Sequence, residues 1–494
     1  MSEGQPIELD AGTPEIDLNQ VGQRSVTGII ALASRTLVVQ VISFLATFAL
    51  TVFLDPATYG VFFIVSSVVN FLTYFSDIGL AAALIQKKTK VTRQDLTTTF
   101  SIQQALILFL LILLLAFTPL IRRYYGMDQQ AVYLLWALGF SLFLSSLKTI
   151  PSILLERHLK FDKLIIPQIA ENLVFNLIAV YFAWQGYGIT SFTFAVLARG
   201  FVGLVLMYII SPWRPGLSIS VKSLKHLLKF GLPYQVNTFL AVLKDDGMSI
   251  LLGGIVGTTG MGYIGWASRW ANMPLRIFMD NVTKVAFPAF SRLQSNTEKL
   301  TKAVEMNLKY LSLFVFPLLV GMAFLAFPLI HIIPKYTKWL PALIPFYFYL
   351  YNAAWACLST SLTNALNAVG KINITFKLML MWTSLTWLTM PILAIKFGYL
   401  GVAYAAGIIA TSSVVTIILA RRHLTFSLIS SLRSSLSASL ALSLFLFFAR
   451  HYVTDLPRLI ATVALGGLVY FAFIVLLEGK QFISKTLAYF KIKS

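Results

Sequence analysis

Long apolar stretches, separated by short polar breaks, follow one another from Gly28 to near the end of the chain. One helix crossing a bilayer needs roughly 20 such residues, so the pattern predicts membrane-spanning helices. Fourteen can be drawn, at 25–53, 57–85, 96–120, 130–150, 164–184, 188–210, 229–253, 258–290, 303–333, 340–368, 375–395, 399–420, 428–449 and 457–477. Spans 2, 8, 9 and 10 are longer than a bilayer needs and are expected to tilt or to extend past it. Residues 1–24 are polar and acidic, lack the pattern of a removable signal peptide, and are expected to form a disordered cytoplasmic tail.

The two halves resemble each other. The segment starting LDPATYGVF at Leu54 aligns with the one starting VGTTGMGYIG at Val256, setting Gly60 opposite Gly262. WQGYGITSFTFA from Trp184 aligns with KFGYLGVAYAAG from Lys396. The offset is about 200 residues, or six spans, and an even number of spans gives parallel repeats related by an axis along the membrane normal. The expected organisation is an N-lobe of spans 1–6 (25–210), a linker (211–228), a C-lobe of spans 7–12 (229–420), spans 13 and 14 (421–478) and a basic tail (479–494). Such a pair of lobes leaves a cavity between them. In the linker, Lys222, Lys225 and Lys229 share one side of a short amphipathic helix, which predicts an inner-leaflet anchor.

Composition agrees with a membrane protein: mean hydropathy is +0.79 and charged residues make up 12%. The net charge of +20 would suggest nucleic acid in a soluble protein, but here the charges follow the loops. With the N-terminus inside, the inner loops and tails hold 24 basic residues and the outer loops 7, so both termini are expected in the cytoplasm. Cys357 is the one cysteine, which excludes an intrachain disulfide, and the five histidines show no metal-ligand spacing. No loop is long enough for a soluble catalytic domain. GMGYIG at Gly260 opens a membrane span instead of following a strand, so it predicts no dinucleotide site.

Eight basic side chains remain within the spans: Arg35, Lys148, Arg199, Lys244, Arg269, Arg276, Lys284 and Lys309. The acids there are Asp77, Glu171, Asp245, Asp246, Asp280 and Glu305. A charge at mid-bilayer costs roughly 2.5–3.5 kcal/mol on insertion scales, so each should face protein or water. In span 8, Arg269, Arg276, Asp280 and Lys284 fall on one stripe of a continuous helix and cover roughly 22 Å of its axis. Pro274 predicts a kink midway. A structural reading pairs Arg276 with Asp280 and lets Lys284 snorkel to the cytoplasmic interface. Arg269 has no acid one turn away, which makes it the leading candidate for a ligand-facing cation. Arg35 either pairs with Asp77 or meets substrate, and Lys244, Asp245 and Asp246 form either an ion network or part of a site. Glu305 and Lys309 are expected to pair, Lys148 and Arg199 to lie near an interface, and Glu171 has no partner assigned. An excess of cations suits an anion, and arginine suits phosphate because its planar fork donates two parallel hydrogen bonds.

Six pieces now stand in order: LDPATYGVF, FSDIGLAAALIQKK, LLERHLKFDKL, LLKFGLPYQVNTFLAVLKDDGMSILLGG, GMGYIGWASRWANMPLRI and VAFPAFSRLQ. Together they resemble the Wzx-type polysaccharide flippases of the multidrug/oligosaccharidyl-lipid/polysaccharide exporter superfamily, in the branch similar to colanic acid exporters. The resemblance is clearest over about residues 25–300. It implies an all-α, MATE-like integral membrane fold of about fourteen helices, two parallel six-helix lobes plus two C-terminal helices, working by alternating access. It implies a polyprenyl-diphosphate-linked oligosaccharide carried to the outer leaflet of a bacterial or archaeal plasma membrane. Such a flippase is a transporter and not an enzyme, and it needs no cofactor. Coupling to a proton or sodium gradient or to the membrane potential is implied, as are membrane lipids and polysaccharide polymerase machinery as partners, with no nucleic acid.

The resemblance points to Arg269 and Arg276 as substrate-binding residues; Arg35 and Lys244 join them from the charge pattern. Asp77, Asp245, Asp246 and Asp280 are candidates for ion coupling or a structural ion network. One departure is Gly254, where many relatives carry arginine. The competing readings are a MATE-like small-molecule antiporter, which would favour an acidic cavity, and a membrane-embedded glycan polymerase or ligase, which would need a larger outer loop.

Overall fold

The computed structural model describes residues 39–87 and 90–479, and no strand occurs among them. The first helices are α1 (Val39–Phe53), α2 (Pro56–Tyr74), α3 (Leu80–Gln86), α4 (Arg93–Tyr125), α5 (Gln129–Leu147) and α6 (Thr149–Arg157). Next come α7 (Phe161–Trp184), α8 (Thr190–Ile210), α9 (Val221–Val242), α10 (Met248–Ala271), α11 (Met273–Leu293) and α12 (Thr297–Ile332). The last are α13 (Leu343–Ala368), α14 (Ile372–Phe397), α15 (Tyr399–Ser412), α16 (Val414–Arg421), α17 (Leu428–Ala449) and α18 (Leu456–Glu478). Local chemistry sets many of the starts. Thr92 and Asp95 form a reciprocal capping box on α4, and Asp128, Ser220, Asn296, Ser427 and Asp455 cap α5, α9, α12, α17 and α18 through side-chain oxygens.

Among the described residues, ten helical stretches are long and apolar enough to cross a membrane, and they fall on spans 2–6, 9 and 11–14. The other four expected spans are 1, 7, 8 and 10. Span 1 is described only from Val39 onward, as the short apolar helix α1. Spans 7 and 8 carry the densest intramembrane charge, and span 10, which is α13, is helical but studded with Asn352, Ser359, Thr360, Ser361, Thr363, Asn364 and Asn367. Span 2 is not one helix. α2 stops after Tyr74, Ile78 and Gly79 take positive φ of 43° and 77°, and α3 follows. The amphipathic helix of the linker also has no boundary at residue 229, since α9 runs unbroken from Val221; the extended linker is residues 211–220.

The chain divides into two compact units, residues 1–262 and 263–494. In the first, α7 packs on α8, α8 on α5, and α5 on both α4 and α2, and Leu80, Leu84, Phe100, Ile150, Leu154 and Leu227 form a dense cluster around α3. Arg157 ties the end of α3 to α6 by donating to the carbonyls of Leu84 (2.5 Å), Ile85 (3.1 Å) and Lys87 (3.0 Å). The extended linker lies along the start of α4: the amides of Ser218 and Ser220 donate to the hydroxyls of Ser101 and Thr98, each at 3.0 Å. In the second unit α12 packs on α11, α13 and α17, and α17 packs on α18. Leu313, Leu442, Leu446, Tyr470 and Ile474 form the core of that last group.

The repeat seen in the sequence has a structural counterpart. A Cβ on Gly60 would overlap the carbonyl oxygen of Thr258, and a Cβ on Gly262 would overlap that of Pro56. The two aligned glycines therefore meet reciprocally, backbone against backbone, at a contact closed to any larger residue.

Candidate functional site

Helical geometry in α10 breaks once, at Gly257 (φ 72°, ψ 176°), the boundary expected between spans 7 and 8. The leg that follows is anchored by aromatic packing. Trp266 stacks on Trp339 with ring centroids 5.6 Å apart and an interplanar angle of 14°, and its Nε1 donates to the Tyr336 hydroxyl at 3.0 Å. Phe346 closes the cluster at 5.5 Å, and all four rings are buried. Such packing fixes the helix rigidly, because large buried aromatics contribute roughly 3–5 kcal/mol each when truncated to alanine. Arg269 lies three residues beyond Trp266, and it is exposed although Ala267 and Ala271 around it are fully buried.

The kink expected from Pro274 falls at Asn272 (φ −83°, ψ −5°), a one-residue break between two helices. α10 ends at Ala271, Asn272 turns, and α11 begins at Met273 with Pro274 in its first turn. The Ser268 carbonyl accepts both the backbone amide of Asn272 (3.0 Å) and its side-chain Nδ2 (2.8 Å), so the broken end is satisfied locally. The stripe expected for one continuous helix is thereby corrected: Arg269 belongs to α10, while Arg276 and Lys284 belong to α11, where both are exposed. Leu275 is buried beside Arg276, and α11 packs on α12 and α13 through a Phe278–Phe314 stack (5.2 Å) and a hydrogen bond from Asn364 to Thr283 (3.3 Å). The Asp280 side chain and the whole of Arg35 lie outside the described residues.

Lys244, Asp245 and Asp246 occupy a π-helical turn, Leu243–Gly247, inserted between α9 and α10. π-bulges of this kind recur at functional sites because the wider turn re-aims side chains. Lys244 pairs with Asp245, and Asn70 of α2 hydrogen-bonds Asp246. Asp77 acts on the broken span 2: both carboxylate oxygens accept the Ala81 amide at 3.1 Å, holding the first turn of α3. Gly79, two residues on, comes against Gly231 of α9 at backbone distance, and Tyr74 and Gln235 exchange side-chain to backbone hydrogen bonds just above. The DIGL and FGLP pieces thus meet each other. At Gly254, the ring of Tyr124 occupies the space a Cβ would need, so a larger residue has no room while Tyr124 holds that position.

Some ion pairs escaped the sequence reading. Lys148 at the end of α5 pairs with Glu171 of α7, Arg199 of α8 approaches the same carboxylate at 3.8 Å and lies over Phe175, and Gly203 makes room for it. These residues are 23 or more apart and on three helices, so the one hint in the sequence is that each lacks a partner on its own helix. Lys148 and Glu171 are largely shielded from solvent, while Arg199 stays about half exposed. The expected Glu305–Lys309 pair is replaced: Lys309 pairs with Glu478 of α18, and Glu305 accepts the Ser427 amide at the start of α17 (2.7 Å). Local spacing allowed the intrahelical pair, but the packing of α12 on α17 and α18 brings Ser427 and Glu478 within reach.

Comparisons with known proteins agree with this architecture. The chain is similar to the succinoglycan biosynthesis transport protein ExoT of Rhizobium meliloti (22% identical over 275 residues; 56% of this chain, 55% of that protein). It is similar to the teichuronic acid biosynthesis protein TuaB of Bacillus subtilis (24%; 50% and 51%) and the lipopolysaccharide biosynthesis protein WzxC of Escherichia coli (23%; 54% and 55%). The chain spans about half the length of these relatives. In fold it matches the lipid II flippase MurJ in an inward closed conformation (TM-score 0.70, 18% identical, 92% of this chain and 98% of that one). It also matches an inward-facing multidrug MATE transporter of the MOP superfamily (TM-score 0.58, 15% identical, 82% and 99%). Residues 49–343 match the family model described as polysaccharide biosynthesis protein, and with more than half of its length so matched the chain belongs to that family, on the membrane fold of the MOP exporters.

Proposed function

We propose that this protein turns a polyprenyl-diphosphate-linked oligosaccharide from the cytoplasmic to the outer leaflet of a bacterial or archaeal plasma membrane, with both termini cytoplasmic. Arg269 and Arg276 take the diphosphate, and Lys244 and Arg35 serve as accessory cations. The observation that carries this reading is the exposure of Arg269 and Arg276 on either side of the Asn272 break, with Ala267, Ala271 and Leu275 buried beside them. A rigid aromatic anchor behind Arg269 and a broken joint before Arg276 hold two guanidinium groups on separate helix legs. Two phosphates offer such a pair several charge-assisted hydrogen bonds, each shorter and stronger than a neutral one. The lipid-linked sugar cannot cross hydrocarbon alone, since each unpaired polar group buried there costs several kcal/mol. Alternating access moves the glycan past that barrier. Outward movement of net charge couples to membrane potential at about 2.3 kcal/mol per charge per 100 mV, so Asp77, Asp245, Asp246 and Asp280 are proposed for ion coupling or for balancing the cations.

Vesicles holding the purified protein test this with one short oligosaccharide on two carriers, polyprenyl diphosphate and polyprenyl monophosphate. The expected result is flipping of the diphosphate at least about tenfold faster, the effect of roughly one lost charge-assisted bond. Equal rates for both carriers, or transport of an organic cation with neither lipid moved, would contradict the proposal.

A further inference from the structure

The hairpin joining α4 to α5 carries a cleft of about 460 Å³, lined by Thr118, Arg122, Arg123, Met127, Gln129 and Trp136 among others. Its volume falls within the roughly 300–1,000 Å³ common for small-molecule sites. The walls are held in place. Gly126, with φ 61°, ends α4, and the Met127 amide returns to the Arg122 carbonyl at 3.0 Å. The Arg122 side chain donates from Nε to the Met127 carbonyl (3.3 Å) and from Nη1 to Gln129 Oε1 (3.2 Å), so its fork is oriented before any ligand arrives. Across the cleft, Trp136 donates its Nε1 to Thr118 (3.1 Å), which fixes the indole plane. Arg123 is exposed and, among the described residues, has no hydrogen-bonding or ionic partner.

This placement runs against the charge rule of the chain. With both termini cytoplasmic, as proposed above, the 33-residue α4 begins in the inner basic cluster around Lys87, Lys90 and Arg93, and its far end carries the hairpin to the outer side. Outer segments hold few basic residues in this sequence, yet here two arginines are adjacent, beside an amphipathic tryptophan and an amide. An oriented guanidinium, an unpaired one, an aromatic face and Gln129 together make a receptor for an anion borne on a ring or a glycerol backbone.

We propose that the α4–α5 hairpin is a second anion site, outside the membrane core, that receives an acidic head group presented at the outer surface: a phosphate- or carboxylate-bearing sugar, or an anionic lipid head group with the same chemistry. The sugar source rests on the function proposed above; anion binding at the hairpin does not. The test uses the full-length protein in nanodiscs and measures binding of glucose 1-phosphate, with glucose as the uncharged control, in zwitterionic discs and in discs containing phosphatidylglycerol. Glucose 1-phosphate is expected to bind, glucose to bind at least tenfold more weakly, and Arg123→Gln to cost tenfold with Arg123→Lys partly restoring it. Trp136→Ala is expected to weaken the sugar phosphate while leaving inorganic phosphate unchanged. Loss of sugar phosphate binding in phosphatidylglycerol discs, dependent on Arg123, assigns the site to lipid; persistence assigns it to the glycan. Equal binding by wild type and Arg123→Gln, with Arg122→Gln also silent, overturns the proposal. Arg269→Ala is expected to leave this binding intact while abolishing transport, so failure of the site and failure of the proposed function give different patterns.

Discussion

Replacing Arg269 or Arg276 by alanine is expected to abolish glycan export in cells lacking the native gene while the protein still reaches the membrane at its normal level. Both side chains are exposed, so truncation opens no cavity in the packed core, and the immunoblot separates any loss of protein from loss of transport. On the proposed function, what is lost is a charged donor to phosphate. One such bond contributes about 1.5–3 kcal/mol, equivalent to roughly ten- to a hundredfold in rate, and two arginines on one diphosphate act as a unit. Lysine at either position should restore part of the activity, since it keeps the charge and loses the bidentate fork. Surface glycan staining beside a membrane immunoblot reads both quantities. Normal export in the alanine variants would remove these residues from the mechanism.

The second large effect is structural and falls at Gly79. With φ at +77°, any side chain there is strained by about 1–2 kcal/mol, and a Cβ would overlap the Gly231 carbonyl oxygen and stand 2.7 Å from its carbonyl carbon and Cα. The obstructing atoms are backbone on α9, which cannot swing aside as a side chain can. Adding about 1–3 kcal/mol for overpacking, Gly79→Ala is expected to destabilise by about 2–5 kcal/mol, enough to deplete the folded protein. Gly231→Ala meets the same contact from the other side, with Gly79 O at 2.7 Å. Gly321 in α12 has open space around its Cα, and Gly321→Ala should leave folding unchanged or slightly improved. Thermal unfolding in detergent compares the three. An unaltered midpoint for Gly79→Ala would refute the packing account of the DIGL and FGLP pieces.

Apolar runs made the membrane helices legible because bilayer thickness fixes their length. Their interruptions were less so. Pro274 announced the break at Asn272, since a residue without an amide leaves a recognisable gap, whereas the break after Tyr74 depends on Ile78 and Gly79 taking positive φ, which a span read for hydropathy alone conceals. The repeat alignment set Gly60 opposite Gly262, and the contact found there explains why neither can carry a side chain. Charges behaved differently. Spacing along one helix suggested Glu305 with Lys309 and left Lys148, Glu171 and Arg199 without partners, yet the folded chain joins each to residues far away in sequence. Ion pairs across helices depend on which faces pack together, and a single sequence encodes that weakly. For Arg269, the sequence gives its isolation from acids on its own helix; the buried Trp266, Tyr336, Trp339 and Phe346 cluster that fixes its position is assembled from segments about 70 residues apart.

The central claim, that these guanidinium groups grip a lipid diphosphate, is met most directly by equilibrium binding of polyprenyl diphosphate to the purified protein, measured for wild type and for the Arg269→Ala, Arg276→Ala double variant across a range of salt. The account predicts an affinity for wild type that falls with salt and a loss of at least about a hundredfold in the double variant, from two charge-assisted contacts of about 1.5–3 kcal/mol each. An identical dissociation constant for the two proteins would contradict it.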